Sequence, residues 1–257
     1  MRILVTNDDG IHADGLAALE AIAAQLSEDV WVCAPEVEQS GASRALSLSA
    51  PVRVQQLGPR RFATNGTPTD CVMLAIHDII GGPKPDLVLS GVNRGANLAE
   101  DVTLSGTVAG AIEGMVQGVP GIALSQTGGP QREDYYEPAT AFAPGIIARL
   151  IKTGWPADVV ININFPNRDV AEIEAVEVTR QGFRDVHIRH TEKRTDLRGK
   201  AYFWIGYHQT PSQPDQGTDL RAIYEGRISV TPLHIDLTHA ATVHALKGVL
   251  GGAPPKL

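Results

Sequence analysis

A chain of 257 residues with 43% hydrophobic and 20% charged side chains has room for one large α/β domain, or for a domain with an appendage. A formal charge of −7 argues against a nucleic-acid polymer as partner, and no apolar stretch approaches membrane-spanning length, so neither partner is expected. The two cysteines, Cys33 and Cys71, lie in apolar surroundings and read as buried free thiols, and the amino terminus lacks a signal-peptide pattern, so a cytoplasmic location is expected.

The first ten residues end in LVTNDDG. Ile3, Leu4 and Val5 form a short branched apolar run that suits a buried strand, and the run stops at the adjacent acids Asp8 and Asp9 followed by Gly10. Residues 14–26 place Leu16, Leu19, Ile22, Ala23 and Leu26 at helical spacing. VWVCA, residues 30–34, predicts a second strand, followed by a loop over residues 36–44 that contains Ser40. Alternation with prolines over 47–62 predicts a hairpin or edge strands. The capping residues of GTPTD, residues 66–70, open a helix that runs from 71 to 80.

DLVLSGV, residues 86–92, is a third strand, running into Asn93, Arg94, Gly95, Ala96 and Asn97. Ser105, Gly106 and Thr107 precede a small-residue helix over 108–117. Strands follow at 119–125 and 159–163, with a helix between them at 140–152 that Pro144 limits or kinks. Strands and helices thus alternate to about Phe165, which predicts a Rossmann-like, mostly parallel sheet with helices on both faces. Beyond Glu174 the texture becomes polar, with an isolated aromatic strand at Tyr202, Phe203 and Trp204, a loop over 209–217, a strand over 228–233 and a helix over 238–250. The expected division is a catalytic core at 1–180, an extended β-hairpin arm that packs on another subunit at 181–235, and a helix and tail at 236–257.

In an open parallel sheet, ligands bind beyond the carboxyl ends of the strands. That edge gathers Asp8, Asp9, Ser40 and Asn93, which offer carboxylate, hydroxyl and amide oxygens. Adjacent acids repel, and a divalent cation would hold both ionised; a set made only of oxygen favours Mg²⁺, Mn²⁺ or Ca²⁺ over zinc. Each of these residues is also an ordinary turn or capping residue, and it is their occurrence after three separate strands that speaks for a metal site. Ser105, Gly106 and Thr107 at a helix start could cradle a phosphate, or simply cap the helix. Together the two features imply hydrolysis of a phosphate ester by water made acidic at the cation. His12 could protonate a leaving alkoxide or be a plain helix-start residue, while His187, His190, His208, His234, His239 and His244 lack metal-like spacing.

At these residues the chain resembles the SurE family, the stationary-phase survival proteins that act as metal-dependent nucleotidases. The matching stretches are RILVTNDDGIHADG, APEVEQSGASRALSL, NGTPTDCV, DLVLSGVNRGAN, SGTVAGAIEG, RGKAYFWIG and ISVTPLHIDLT, spread from end to end. The resemblance implies that Asp8, Asp9, Ser40 and Asn93 bind one divalent cation per subunit, with Asp8 and Asp9 catalytic. It also implies phosphate contacts from Asn97, Ser105, Gly106 and Thr107, and a swapped carboxyl-terminal arm that forms a homodimer or homotetramer. The substrates it implies are nucleoside monophosphates, often both 5′ and 3′, and for some members short polyphosphate. Leu104 stands where the family usually has tyrosine, and Asp196-Leu197-Arg198-Gly199 replaces the usual Asp-Pro-Arg-Gly. Two rival readings are a phosphatase with Asp8 as covalent nucleophile, in which the acid expected two positions on is Gly10, and a nucleotide-binding regulator without turnover.

Overall fold

The first strand, β1 (Arg2–Thr6), lies inside a nine-stranded sheet. The structure is a computed structural model describing residues 1–128, 135–184, 189–207 and 212–250. In chain order, α1 (Asp14–Ala24), β2 (Asp29–Pro35), β3 (Val54–Gly58), β4 (Arg61–Thr64), α2 (Pro68–Leu74) and β5 (Leu87–Arg94) follow β1. Next come α3 (Gly106–Val116), β6 (Gly121–Gln126), α4 (Glu137–Thr153), β7 (Val159–Phe165) and β8 (Val176–Val178). The chain continues through β9 (Arg189–Thr195), β10 (Ala201–Tyr207), α5 (Asp219–Tyr224), β11 (Ile228–His234) and α6 (Ala240–Leu250).

The large sheet runs β3-β4-β2-β1-β5-β6-β7-β11-β8. Its centre is parallel, with β1 between β2 and β5, and the two antiparallel pairings are β3 with β4 and β7 with β11. Side chains alternate across a strand, so Ile3 and Val5 enter the core beside α1 and α4, while Leu4 enters the one beside α2. All three are fully buried, each worth about 1.5–3 kcal/mol. On α1 the expected stripe is buried at Leu16, Leu19, Ile22 and Ala23. On the opposite face α3 lies so close to β5 that a Cβ on Gly114 would meet Val88 Cγ2 at 2.7 Å, hence its small residues.

Several boundaries move outward from those expected. β5 continues through Asn93 and Arg94, so Asn93 ends a strand rather than lying in the loop beyond it. α3 begins at Gly106 with Ser105 as its N-cap, two residues earlier than its apolar pattern suggests. α4 starts at Glu137 and runs on past Pro144, which forgoes one ladder bond there. The helix after Gly66 is α2, with a Thr67–Asp70 capping box, and a π-helical turn (Ala75–Ile79) completes it.

The expected arm at 181–235 divides. β9 and β10 form a separate two-stranded antiparallel hairpin, but β11 is hydrogen-bonded to β7 and β8 inside the large sheet, and α5 packs on β11. The reason is compositional: Ile228, Val230 and Leu233 are as apolar as any core strand and find their cover against β7. α6 leaves Val243, Leu246, Val249 and Leu250 exposed. Among the described residues no helix is long and apolar enough to cross a membrane. Cys33 and Cys71 are buried free thiols, as expected. His187, His208 and the start of the 209–217 loop lie outside the described residues.

Candidate functional site

Asp8 leaves the end of β1 and is only 4% exposed. Thr107 Oγ1, itself fully buried, donates to Asp8 Oδ1 at 2.5 Å. Gly106 is why the start of α3 can come so near. A Cβ there would stand 2.7 Å from Asp8 Cβ and 2.8 Å from Asp8 Oδ2. Burial pushes the Asp8 carboxyl up to about 6, with the Thr107 hydrogen bond opposing the rise and neighbouring Asp9 adding to it. Asp9 is half-buried, accepts the Arg94 amide at 3.1 Å, and is also raised by burial.

Two loops close on this pair. The Gln39 amide donates to the Asp8 carbonyl at 2.7 Å, Ser43 donates through its amide to the Leu104 carbonyl and through its hydroxyl to the Thr103 carbonyl, and Arg44 pairs with buried Glu113 on α3 at 3.1 Å. Ser40 is thereby carried to the mouth of a cavity of about 310 Å³ lined by Asp8, Asn93, Arg94, Asn97, Leu104 and Ser105 among others. Ser40 Oγ donates to Glu38 at 2.6 Å, leaving its lone pairs to accept or coordinate. Asn93 Nδ2 donates to the Gly95 carbonyl at 2.9 Å, so its Oδ1 is the atom it has to offer.

The expected residues therefore do not all face one space. Asp8, Ser40, Asn93, Asn97 and Ser105 line the 310 Å³ cavity; Asp9 lines a neighbouring one of about 460 Å³ together with exposed His12 and Glu38; Gly106 and Thr107 are packed behind Asp8. Ser105 Oγ accepts the Val108 amide at 3.0 Å as a helix cap. Thr107 thus positions a carboxylate, a role its place in a helix-start motif does not reveal.

Asn97 is locked by residues to which the sequence assigns no role: Ser125 and Asn162 within predicted strands, and Asn164 one residue past the predicted end of its strand. Its amide donates to Asn164 Oδ1 at 2.9 Å, its Nδ2 to Ser125 Oγ at 2.9 Å, and its carbonyl accepts Asn162 Nδ2 at 2.8 Å and Asn164 Nδ2 at 3.1 Å. Two asparagines at alternate positions of an otherwise apolar strand were the available signal, since a buried amide needs a partner. Fully buried Asp219 does the same one turn further on. It accepts the amides of Ala99, Gly182 and Leu220 at 2.7–2.8 Å and holds Ala99 at a left-handed φ of 54°.

The donor types, two carboxylates, a hydroxyl and an amide carbonyl, suit a hard divalent cation better than zinc. The glycine contact that lets a helix start close on a buried carboxylate fits the same purpose.

Architecture and site together define a Rossmann-like α/β domain with an acidic, oxygen-lined cavity at the carboxyl edge of its sheet. The chain belongs to the family described as Survival protein SurE, whose model matches residues 3–188. It is 73% identical over 257 residues to a protein of Phenylobacterium zucineum strain HLK1 named 5′-nucleotidase SurE, each chain covered completely. It is 68% identical to the protein of that name from Caulobacter vibrioides strain NA1000 / CB15N, covering 100% of this chain and 98% of the other. The crystal structure of the SurE protein from Aquifex aeolicus matches with a TM-score of 0.83 at 37% identity, over 97% of this chain and 99% of that one.

Proposed function

We propose that this protein is a metal-dependent phosphomonoesterase that hydrolyses nucleoside 5′-monophosphates, and 3′-monophosphates as well, to nucleoside and phosphate. The observation that carries the reading is the meeting of buried Asp8 with the start of α3 across Gly106 and Thr107, beside a cavity lined by Ser40, Asn93 and Asn97. The relatives' name, 5′-nucleotidase SurE, supports it.

In this reading Asp8, Asp9, Ser40 and Asn93 hold one Mg²⁺, Mn²⁺ or Ca²⁺. A bound divalent cation supplies Lewis acidity, lowering the pKa of water and neutralising phosphoryl charge. The chain's own residues do the rest. Thr107 fixes the Asp8 carboxylate in one orientation, and the Arg94 amide fixes Asp9. Asn97 and Ser105, which line the cavity, meet the phosphoryl group beside the helix start, whose partial positive charge favours an anion, while Gly106 and Thr107 behind them hold Asp8 in place. Asn162, Asn164 and Ser125 hold Asn97 still, which limits the loss of orientation during reaction.

The test is phosphate release from a panel of mononucleotides. Chelation should abolish it and added Mn²⁺ or Mg²⁺ should restore it. Recovery with zinc alone would overturn the oxygen-donor site, and tight nucleotide binding without turnover at saturating metal would make the protein a regulator.

We further propose that the β9–β10 hairpin mediates a homodimer or homotetramer. Its Phe203, Trp204 and Ile205 are 60%, 59% and 78% exposed, an apolar face that a lone subunit leaves in water. Phe203 and Ile205 share one side of β10. Phe203→Glu combined with Ile205→Glu should lower the mass measured by light scattering, whereas an unchanged mass would move the interface elsewhere.

A further inference from the structure

The charges around the two cavities do not balance for the substrate proposed above. Asp8 lines one cavity, and Asp9, Asp14, Glu36 and Glu38 line the other. A divalent cation offsets the Asp8–Asp9 pair and no more, so an arriving phosphate dianion still meets a negative surround. Asp101, also at the first cavity, is already answered by Arg184 at 2.8 Å, and Arg184 is a largely buried side chain that lines neither space. Among the described residues lining either cavity, Arg94 alone is a lysine or arginine, and it lines both. It is exposed, it follows Asn93 directly at the end of β5, and its own amide is bonded to Asp9.

Resting on the nucleotidase reading for the site's substrate class, we infer that Arg94 is the phosphate-binding cation of this site: its guanidinium takes the phosphoryl oxygens directed away from the metal ligands and carries the charge that metal and helix start leave unbalanced. A guanidinium presents paired N–H donors that match phosphate oxygens, and it stays charged at every working pH. The placement also separates two roles within one residue. The main chain of Arg94 orients Asp9 and depends on no side chain, while the residue as a whole lines both cavities. A change of side chain therefore leaves the metal ligands in position. Because the group is exposed, its contribution falls as salt rises.

The experiment compares wild type, Arg94→Gln and Arg94→Lys. Titration calorimetry gives the affinity for inorganic phosphate in the presence of Mn²⁺ and, separately, the affinity for Mn²⁺ alone; steady-state kinetics on a mononucleotide are run at two ionic strengths. Arg94→Gln should weaken phosphate about ten- to a hundred-fold, as for loss of a hydrogen bond to a charged group. It should leave Mn²⁺ affinity unchanged or tighter, since a neighbouring positive charge has gone. Arg94→Lys should recover part of the phosphate affinity, and the salt dependence of kcat/KM should flatten in Arg94→Gln. Unchanged phosphate affinity would overturn the inference. So would a parallel fall in Mn²⁺ affinity, which would mean the side chain supports the metal site structurally. If wild type turns over no mononucleotide while Arg94→Gln still loses phosphate, the nucleotidase reading fails and the role of Arg94 stands.

Discussion

Asp8→Asn is expected to fold, to melt at a higher temperature than wild type in metal-free buffer at pH 8, and to lose turnover by at least roughly 10²–10³-fold, the scale on which deletion of one electrostatic contact at a reacting centre acts. The two effects have one cause. Burial raises Asp8 to about 6 in the folded chain from 3.8, so the folded state binds this proton more tightly than the unfolded one. The resulting stability is fully present below pH 3.8 and is lost as pH rises through about 6, so above that the ionised carboxylate costs the metal-free protein up to about 3 kcal/mol. Asparagine keeps the shape, can accept the Thr107 hydroxyl through its oxygen, and carries no charge to desolvate. It also cannot compensate a cation. Melting curves of the two metal-free proteins between pH 5 and pH 8 would show wild type falling away and the variant holding. A variant that is active at saturating Mn²⁺ would remove Asp8 from the metal set, and parallel melting curves would remove the buried charge.

Gly106→Ala should do nearly as much damage without replacing a ligand. The added methyl would lie 2.7 Å from Asp8 Cβ and 3.1 Å from its Cγ, atoms close to the backbone that cannot swing aside. Either the start of α3 retreats or Asp8 moves. Overpacking of this kind costs about 1–3 kcal/mol, and a displacement of about 1 Å at a reacting centre costs on the order of 10²-fold in rate. Gly110→Ala is the control, one turn along the same helix. Its methyl would meet Ser90 Oγ at 2.8 Å and Thr6 Cγ2 at 3.0 Å, so stability should suffer comparably while kcat falls far less. Equal losses of kcat in both variants would show that α3 acts only as packing.

What the chain discloses about itself follows from which forces act locally. The burial of Ile3, Leu4 and Val5 is plain from three branched residues in a row, and the acidic turn after them is plain because nothing apolar competes there. Helix stripes such as Leu16, Leu19 and Ile22 are equally local. The hydrogen bond from Thr107 to Asp8 spans 99 residues, and the clamp of Asn162 and Asn164 on Asn97 spans 65 and 67. No periodicity reports such pairings, so a polar residue inside a strand carries no sign of its partner. The strand over 228–233 was legible as a strand, but its place beside β7 depends on which edge of the sheet remained open. The same limit applies to the donor set. Its residue types were readable, whereas the division of Asp8 and Asp9 between two adjoining cavities belongs to the folded surface.

The carboxylate of Asp219 clasps a turn that was synthesised 120 residues earlier. At the roughly 5–20 residues per second of translation, the Ala99 turn leaves the ribosome about 6–24 s before its clasp exists. During that interval β1, β5 and α3 have emerged, so Asp8, Asn93 and Thr107 can already meet while the Ala99 turn has yet to be tied down from α5. A chain halted before Asp219 would hold the acidic pair, the helix start and the Asn97 clamp, but not the bond that fixes the Ala99 turn. Hydrogen exchange on a release-stalled chain should find the amides of Ala99 and Gly182 unprotected and those of β1 and β5 already slow. The clasp on the Ala99 turn therefore waits on a residue made 120 positions after it, although Asp8 and Asp9 precede that turn in the chain.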